Sequence, residues 1–333
     1  MYECALGVLP VCQLIATGGT IAMKVDPATG AAAPALTGAD LLAAVPGLDT
    51  LATVDLLNLS NVPSGYMDAA RWVSLKHAVE RALERPAVAG VVISHGTDTL
   101  EETAWFLEQT VASDKPVVLV GAQRNASEPD FDGPRNLSAG IRTCISPTAR
   151  GHGVMVVMND QISAARQARK AHTTAVEAFE PGEAGFLGVV EAGEVVFFRA
   201  PAPRASIPLV SQLLPRVDIV PMYAGADGLQ VDAAVHNGAK GIIIEALGLG
   251  NVNIEMYNAI VRAIASKVAV VIASRTGHGR VRPLYGFTGG GHSLRQAGAL
   301  FAGSLSAHKA RISTMLALQA AMLPQEMQSL FDQ

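Results

Sequence analysis

A chain of 333 residues, 50% hydrophobic and 16% charged, is longer than one hydrophobic core usually serves, so two domains with well-packed interiors are expected. Its formal net charge is −4, and the basic cluster Arg166, Arg169 and Lys170 is too small for a nucleic-acid footprint; it reads as a surface cluster or a small-anion site. Cys4, Cys12 and Cys144 are too few and too scattered for a disulfide framework and lack the Cys/His spacing of a zinc site, so they read as reduced, structural thiols.

In chain order, the apolar segment Val8 to Ala16 follows no basic stretch and precedes no export cleavage site. It reads as a first strand, and the protein as cytoplasmic. No other segment has the length and apolarity of a membrane span. Short β-branched runs at Val11 to Ala16, Val54 to Leu59, Val88 to Ser94, Val117 to Val120 and Val154 to Met158 suit central parallel strands covered on both faces. Between them, Trp72 to Leu83 aligns Trp72, Leu75, Val79 and Ala82 on one helical stripe. Glu101 to Thr110 predicts a crossover helix, with Thr99 as its cap and Glu102 completing a capping box. This alternation predicts an open α/β sheet.

Glu194 to Arg199 predicts a further strand. The restricted run Ala200-Pro201-Ala202-Pro203, with Pro208 beyond it, predicts an interdomain connection. A second α/β pattern follows, with strands at Val217 to Pro221, Gly241 to Leu247 and Val268 to Ala273 and a terminal helix at Ala310 to Met322. The expected boundaries are a first domain over 1–199, a linker over 200–215 and a second domain over 216–333.

Open α/β sheets place binding loops at the carboxyl ends of strands. Thr17-Gly18-Gly19-Thr20 follows the first strand, and Ser94-His95-Gly96-Thr97-Asp98 follows a later one. Glycines permit tight turns and close backbone approach, and hydroxyls supply donors, acceptors and nucleophiles. Neither loop is a dinucleotide fingerprint or a Walker phosphate loop.

Leu14-Ile15-Ala16-Thr17-Gly18-Gly19-Thr20-Ile21-Ala22 resembles the first catalytic motif of the bacterial-type L-asparaginases, and Ser94 to Thr103 resembles the second. Gly121-Ala122-Gln123-Arg124, Asp132-Gly133-Pro134, Val157-Met158-Asn159-Asp160, Asn251-Val252-Asn253, Phe301-Ala302-Gly303 and Lys309-Ala310-Arg311 continue the resemblance in order, over almost the full chain. It implies a larger N-terminal parallel-sheet domain and a smaller C-terminal Rossmann-like α/β domain. It further implies a homotetramer with sites near an intimate subunit interface, and hydrolysis of L-asparagine to L-aspartate and ammonia with neither cofactor nor metal. Glutaminase-asparaginases, amidohydrolases of longer amides and amidotransferase subunits share the broad family. A ligand-binding homologue without catalysis is the non-enzymatic alternative.

Residue by residue, the resemblance makes Thr20 the nucleophile, a weak one that must be oriented and relieved of its proton. Thr97, Asp98 and Lys170 match the second catalytic group. Either Lys170, oriented by Asp98, favours deprotonation of Thr97 or a water, or Thr97 and Asp98 chiefly bind the substrate's ammonium. Backbone N–H groups near Gly19–Thr20 or Gly96–Thr97 are the oxyanion candidates. Ser64 and Gly96 are expected to contact substrate, Ser64 at its carboxylate, and Asn253 to support a neighbouring subunit's site.

The chain departs from the family pattern at three places. Gly65 stands where many asparaginases carry Gln, leaving room for water or a longer substrate group. Lys24 to Gly30 holds no Tyr at the mobile-loop position, and Tyr66 either lines the pocket or only packs. Arg275-Thr276-Gly277-His278-Gly279-Arg280 offers no match for a downstream acidic residue, which leaves Arg275 and Arg280 as carboxylate contacts or surface groups. His95 reads as a buried, hydrogen-bonded histidine rather than a general base. His152, His172, His278 and His308 form no sequence-local metal pattern.

Overall fold

The computed structural model describes residues 9–202 and 206–332. Cys4 and the Pro203 part of the linker therefore lie outside the described residues. The chain divides into two compact units, Met1–Ser206 and Ile207–Gln333.

The first unit is built on an eight-stranded sheet: β1 Val11–Ala16, β2 Thr53–Asn58, β3 Val88–Ser94, β4 Val117–Val120, β5 Val154–Met158, β6 Gln161–Ala164, β7 Gly188–Glu191 and β8 Glu194–Phe197, in the spatial order β8-β7-β6-β5-β4-β3-β1-β2. The strands β2, β1, β3, β4 and β5 run parallel. Their continuous apolar runs follow from burial on both faces: all seven residues of β3 except Ala89 and all four of β4 are buried.

The central strands are parallel, and the sheet as a whole is mixed: β6 pairs antiparallel with β5, β7 with β6 and β8 with β7. Two-residue turns account for the first and last of these pairings. Asn159 and Asp160, at φ 51° and 60°, join β5 to β6, and Ala192 and Gly193, at φ 49° and 86°, join β7 to β8. Two successive left-handed residues match the twist of a tight hairpin, which leaves no length for a crossover helix.

Helices cover this sheet. The helix α1 Ala69–Leu83 starts three residues before the predicted Trp72, because the Asp68 carboxylate accepts from the Arg71 N–H at 2.8 Å and caps it. It buries the predicted stripe Trp72, Leu75, Val79 and Ala82. Next come α2 Leu100–Thr110 and α3 Gly133–Ile145, the latter opened by Pro134 in its first turn. Cys12 on β1 and Cys144 on α3 are buried together in the core between sheet and helix, with Leu14, Val92, Val118 and Ile141.

The second unit has a four-stranded parallel sheet, β9 Val217–Pro221, β10 Gly241–Ala246, β11 Ala269–Ser274 and β12 Leu300–Phe301, in sequential order. The helix α4 Ile254–Ala265 packs on β11 and α5 Ala307–Gln319 on β9 and β10. A final helix, α6 Pro324–Phe331, extends beyond the terminal helix expected from sequence. Among the described residues, no helix is long and apolar enough to cross a membrane.

Candidate active site

The strand order places β1 between β2 and β3, so the chain turns one way along the sheet after β1 and the other way after β2. Loops leaving the carboxyl ends of strands at such a reversal diverge and open a crevice. Both threonine loops leave there. Thr17 donates through its backbone N–H and its hydroxyl to the Ser94 carbonyl, at 3.1 and 2.8 Å, which ties the two loops at their roots.

Glycines bring the loops into contact. Gly18 and Gly19 have φ of 108° and 88°, a region that side chains disfavour. A Cβ on Gly19 would overlap the Gly96 backbone, and one on Gly96 would lie 2.7 Å from Cβ and Oγ of Ser64. Three segments distant in sequence thus touch through their smallest residues, and Thr20, Thr97 and Ser64 each stand at or beside that contact. Thr20 is half-buried at the start of a 3-10 turn, Thr20–Ala22, while Ser64 and Thr97 are buried.

Lys170 completes the second group. It sits on a short antiparallel ribbon, Arg169–Lys170 against Phe179–Glu180, and its backbone N–H donates to the Glu101 carboxylate on α2 at 3.0 Å. Its ammonium donates to Thr97 Oγ1 at 2.9 Å and to Asp98 Oδ1 at 2.5 Å. The ion pair is lopsided, Lys170 being 17% exposed and Asp98 74%. Such a pair adds little to stability, and its consequence here is to orient the ammonium.

His95 is fully buried and bonded at both nitrogens. Its Nδ1 lies 2.7 Å from the Gly96 carbonyl, which only accepts, so Nδ1 carries the proton. Nε2 then accepts from the Thr103 hydroxyl at 3.0 Å, and the Thr103 oxygen accepts from Trp72 Nε1 at 2.9 Å. Burial pushes the imidazole pKa down to about 4, against a smaller opposing effect of the Gly96 bond. A neutral ring with both nitrogens engaged pins the Gly96 backbone and is not placed to act as a base.

One local expectation is corrected. The Thr99 side chain makes no cap bond to α2, because its hydroxyl donates to the Ser64 carbonyl at 2.8 Å, fastening the Ser64 turn to the second threonine loop. A brace without a counterpart in the expected site residues stands beside them. The Asp132 carboxylate accepts from the backbone N–H groups of Gln123 and Arg124, and Asn136 donates to Asp132 and to the Gly121 carbonyl, each at 3.0 Å. This holds Gly121 to Arg124 rigidly beside Thr97, whose hydroxyl lies 3.5 Å from Gln123 Oε1. The Asp-Gly-Pro sequence at the start of α3 was the available signal.

The departures are also placed. A Cβ on Gly65 would meet nothing within 4 Å, and Tyr66 is 66% exposed. The segment after the first motif forms a hairpin, Met23–Val25 against Ala32–Pro34, held where Ala126 N–H donates to the Met23 carbonyl at 2.9 Å. In the second unit, the Asn253 side chain caps α4 by accepting from Met256 N–H at 2.9 Å and donates to the Ala226 carbonyl at 2.6 Å. Arg275 and Arg280 are exposed. Among the described residues, no three His, Cys, Asp or Glu side chains gather as a metal site.

Known proteins resemble this chain over almost its full length. The family described as Asparaginase, N-terminal matches residues 12–203, and the Glutaminase/Asparaginase C-terminal domain matches residues 216–331. The chain is 38% identical to the probable L-asparaginase of Deinococcus radiodurans over 98% of each chain. It is 36% identical to L-asparaginase 2 of Bacillus subtilis, over 98% of this chain and 87% of that one. The structure of a probable cytoplasmic L-asparaginase from Campylobacter jejuni superposes with a TM-score of 0.88 at 32% identity, covering 97% of this chain and 99% of that one. With both domain families matched in order and both threonine loops at one sheet reversal, the chain belongs to the asparaginase family.

Proposed function

We propose that the protein is an L-asparaginase that hydrolyses L-asparagine to L-aspartate and ammonia through an acyl-enzyme on Thr20. The observation that carries this reading is the contact of the Thr20 loop with the loop bearing Thr97, where Lys170 bonds both Thr97 and Asp98. In the first step Thr20 Oγ bonds to the amide carbon. The C–N bond then breaks, and the nitrogen leaves as ammonia with the hydroxyl proton. In the second step water attacks the ester, which returns the proton to Thr20 and releases the carboxylic acid.

Lys170 places positive charge against Thr97 Oγ, which stabilises that oxygen as it gives up or shares a proton. Backbone N–H groups at Gly19–Thr20 and Gly96–Thr97 are the donors proposed for the developing oxyanion. Ser64 is proposed to take the substrate carboxylate, beside Gly96, and Gly65 to leave adjoining space. Asn253 is proposed to support the site of a neighbouring subunit in a homotetramer. Light scattering checks the assembly, and a stable active monomer contradicts it. A cytoplasmic location is proposed by similarity to the Campylobacter jejuni protein, whereas a 34% identical relative from Haemophilus influenzae is described as periplasmic. Cell fractionation separates the two.

A second reading, hydrolysis of a longer amide, is favoured by the open space at Gly65. Ammonia release from L-asparagine, D-asparagine, L-glutamine and longer ω-amides decides between them. L-Asparagine is expected to give the highest kcat/KM. A much higher value for a longer amide keeps the amidohydrolase chemistry and rejects the asparaginase assignment.

A further inference from the structure

We infer that Gln123 is a positioning residue for Thr97, its carboxamide oxygen directing the Thr97 hydroxyl proton away from Lys170. This rests on the reading of Thr97 and Lys170 as the second catalytic group. Lys170 Nζ is a donor only, and it lies 2.9 Å from Thr97 Oγ1. That oxygen therefore accepts from Lys170, and its own proton must point elsewhere. Among the described residues, the acceptor facing it is Gln123 Oε1, at 3.5 Å, longer than an ordinary O–H···O bond, so its pull on the proton is a weak electrostatic bias. With the proton turned toward Gln123, the lone pairs of Thr97 Oγ face the ammonium.

A second, independent observation separates this from ordinary packing. Gln123 Nε2 is buried and makes no hydrogen bond among the described residues. Buried side-chain polar atoms are for the most part hydrogen-bonded, so an unpaired amide nitrogen calls for an explanation, and a role beside Thr97 is one. Here the backbone of Gln123 is fixed by the Asp132 carboxylate, which accepts its N–H at 3.1 Å, and Asp132 is held in turn by the buried Asn136. The loop needs nothing from the Gln123 side chain for its own conformation. Among the described residues, the hydrogen-bond contact of that side chain is the one with Thr97.

Two substitutions test this with the full-length protein. Gln123→Leu removes the acceptor while keeping most of the volume, and Gln123→Glu keeps an acceptor and adds negative charge near Lys170. For Gln123→Leu the melting temperature is expected to hold or rise, because an unpaired buried amide is lost. Its kcat for ammonia release should fall about tenfold with KM within about twofold, as for a lost orienting contact in proton transfer. Gln123→Glu, which keeps an acceptor oxygen at the same place, should restore much of kcat at the pH optimum. A folded Gln123→Leu protein with the parent's kcat and pH profile overturns the inference. So does Gln123→Leu that melts several degrees lower while its folded fraction turns over normally, since that is a structural role. If the unsubstituted protein releases ammonia from no amide, the proposed function fails and takes this inference with it. An active parent with an indifferent Gln123 rejects the inference alone.

Discussion

Lys170 Nζ donates to Thr97 Oγ1 at 2.9 Å, 73 positions away in sequence. The ribbon that delivers Lys170 is tied to α2 through Glu101, so the same helix that follows Thr97 also fixes its partner. Lys170→Met keeps the stem and deletes the charge. It is expected to lower kcat by about a hundredfold or more, the range of a lost acid–base group, while circular dichroism stays unchanged. A kcat within about threefold of the parent removes Lys170 from the mechanism.

Two glycines beside Ser64 should respond in opposite ways. On Gly96 a methyl group would press within 2.7 Å of Ser64 Cβ and Oγ, so Gly96→Ala must displace either the Ser64 turn or the second threonine loop. The expected cost is about 1–3 kcal/mol of stability, as for overpacking elsewhere, with ammonia release sharply reduced. On Gly65 a side chain would meet nothing within 4 Å. Gly65→Gln is expected to change stability by less than about 0.5 kcal/mol and to favour L-asparagine over longer amides in kcat/KM. Chemical denaturation and the substrate panel check both, and equal destabilisation by the two contradicts the packing described.

His95 sets a pH dependence of stability. Its folded pKa, about 4, lies below the ordinary value of 6.5, so the unfolded chain binds its proton first as pH falls. The effect is absent above pH 6.5, grows between 6.5 and 4, and levels off below 4, where both states are protonated. It amounts to about 3 kcal/mol at its full extent. His95→Gln, able to donate to Gly96 and accept from Thr103, is expected to flatten this component. Unfolding free energies measured from pH 7 to pH 4 on both proteins check it, and parallel curves contradict it.

Much of the architecture was legible because fully buried parallel strands are written as short apolar runs, and β1, β3, β4 and β5 coincide with such runs. The antiparallel half was harder to read. It depends on Asn159-Asp160 and Ala192-Gly193 adopting left-handed turns; the first pair stood only within a motif, and the second carried no reading. Thr99 misled for a related reason: local spacing makes it a cap, but the Ser64 carbonyl, 35 residues away in sequence, claims its hydroxyl. At the site, Thr20, Thr97 and the glycines stood out as loops after strands, and Lys170 was assigned from the resemblance. The Trp72–Thr103 bond, 31 residues apart, and the Asn136–Gly121 bond, 15 apart, join separate elements, so only the folded arrangement exposes them.

The central claim is that covalent chemistry begins at Thr20. It is tested most directly by intact-protein and peptide mass spectrometry after rapid quenching with a slowly hydrolysed amide substrate. The account predicts an acyl adduct on the peptide containing Thr20, absent from Thr20→Ala, which should retain its fold and lose nearly all ammonia release. Reproducible capture of the acyl group on Thr97 or any other residue, with Thr20→Ala still turning over, contradicts it.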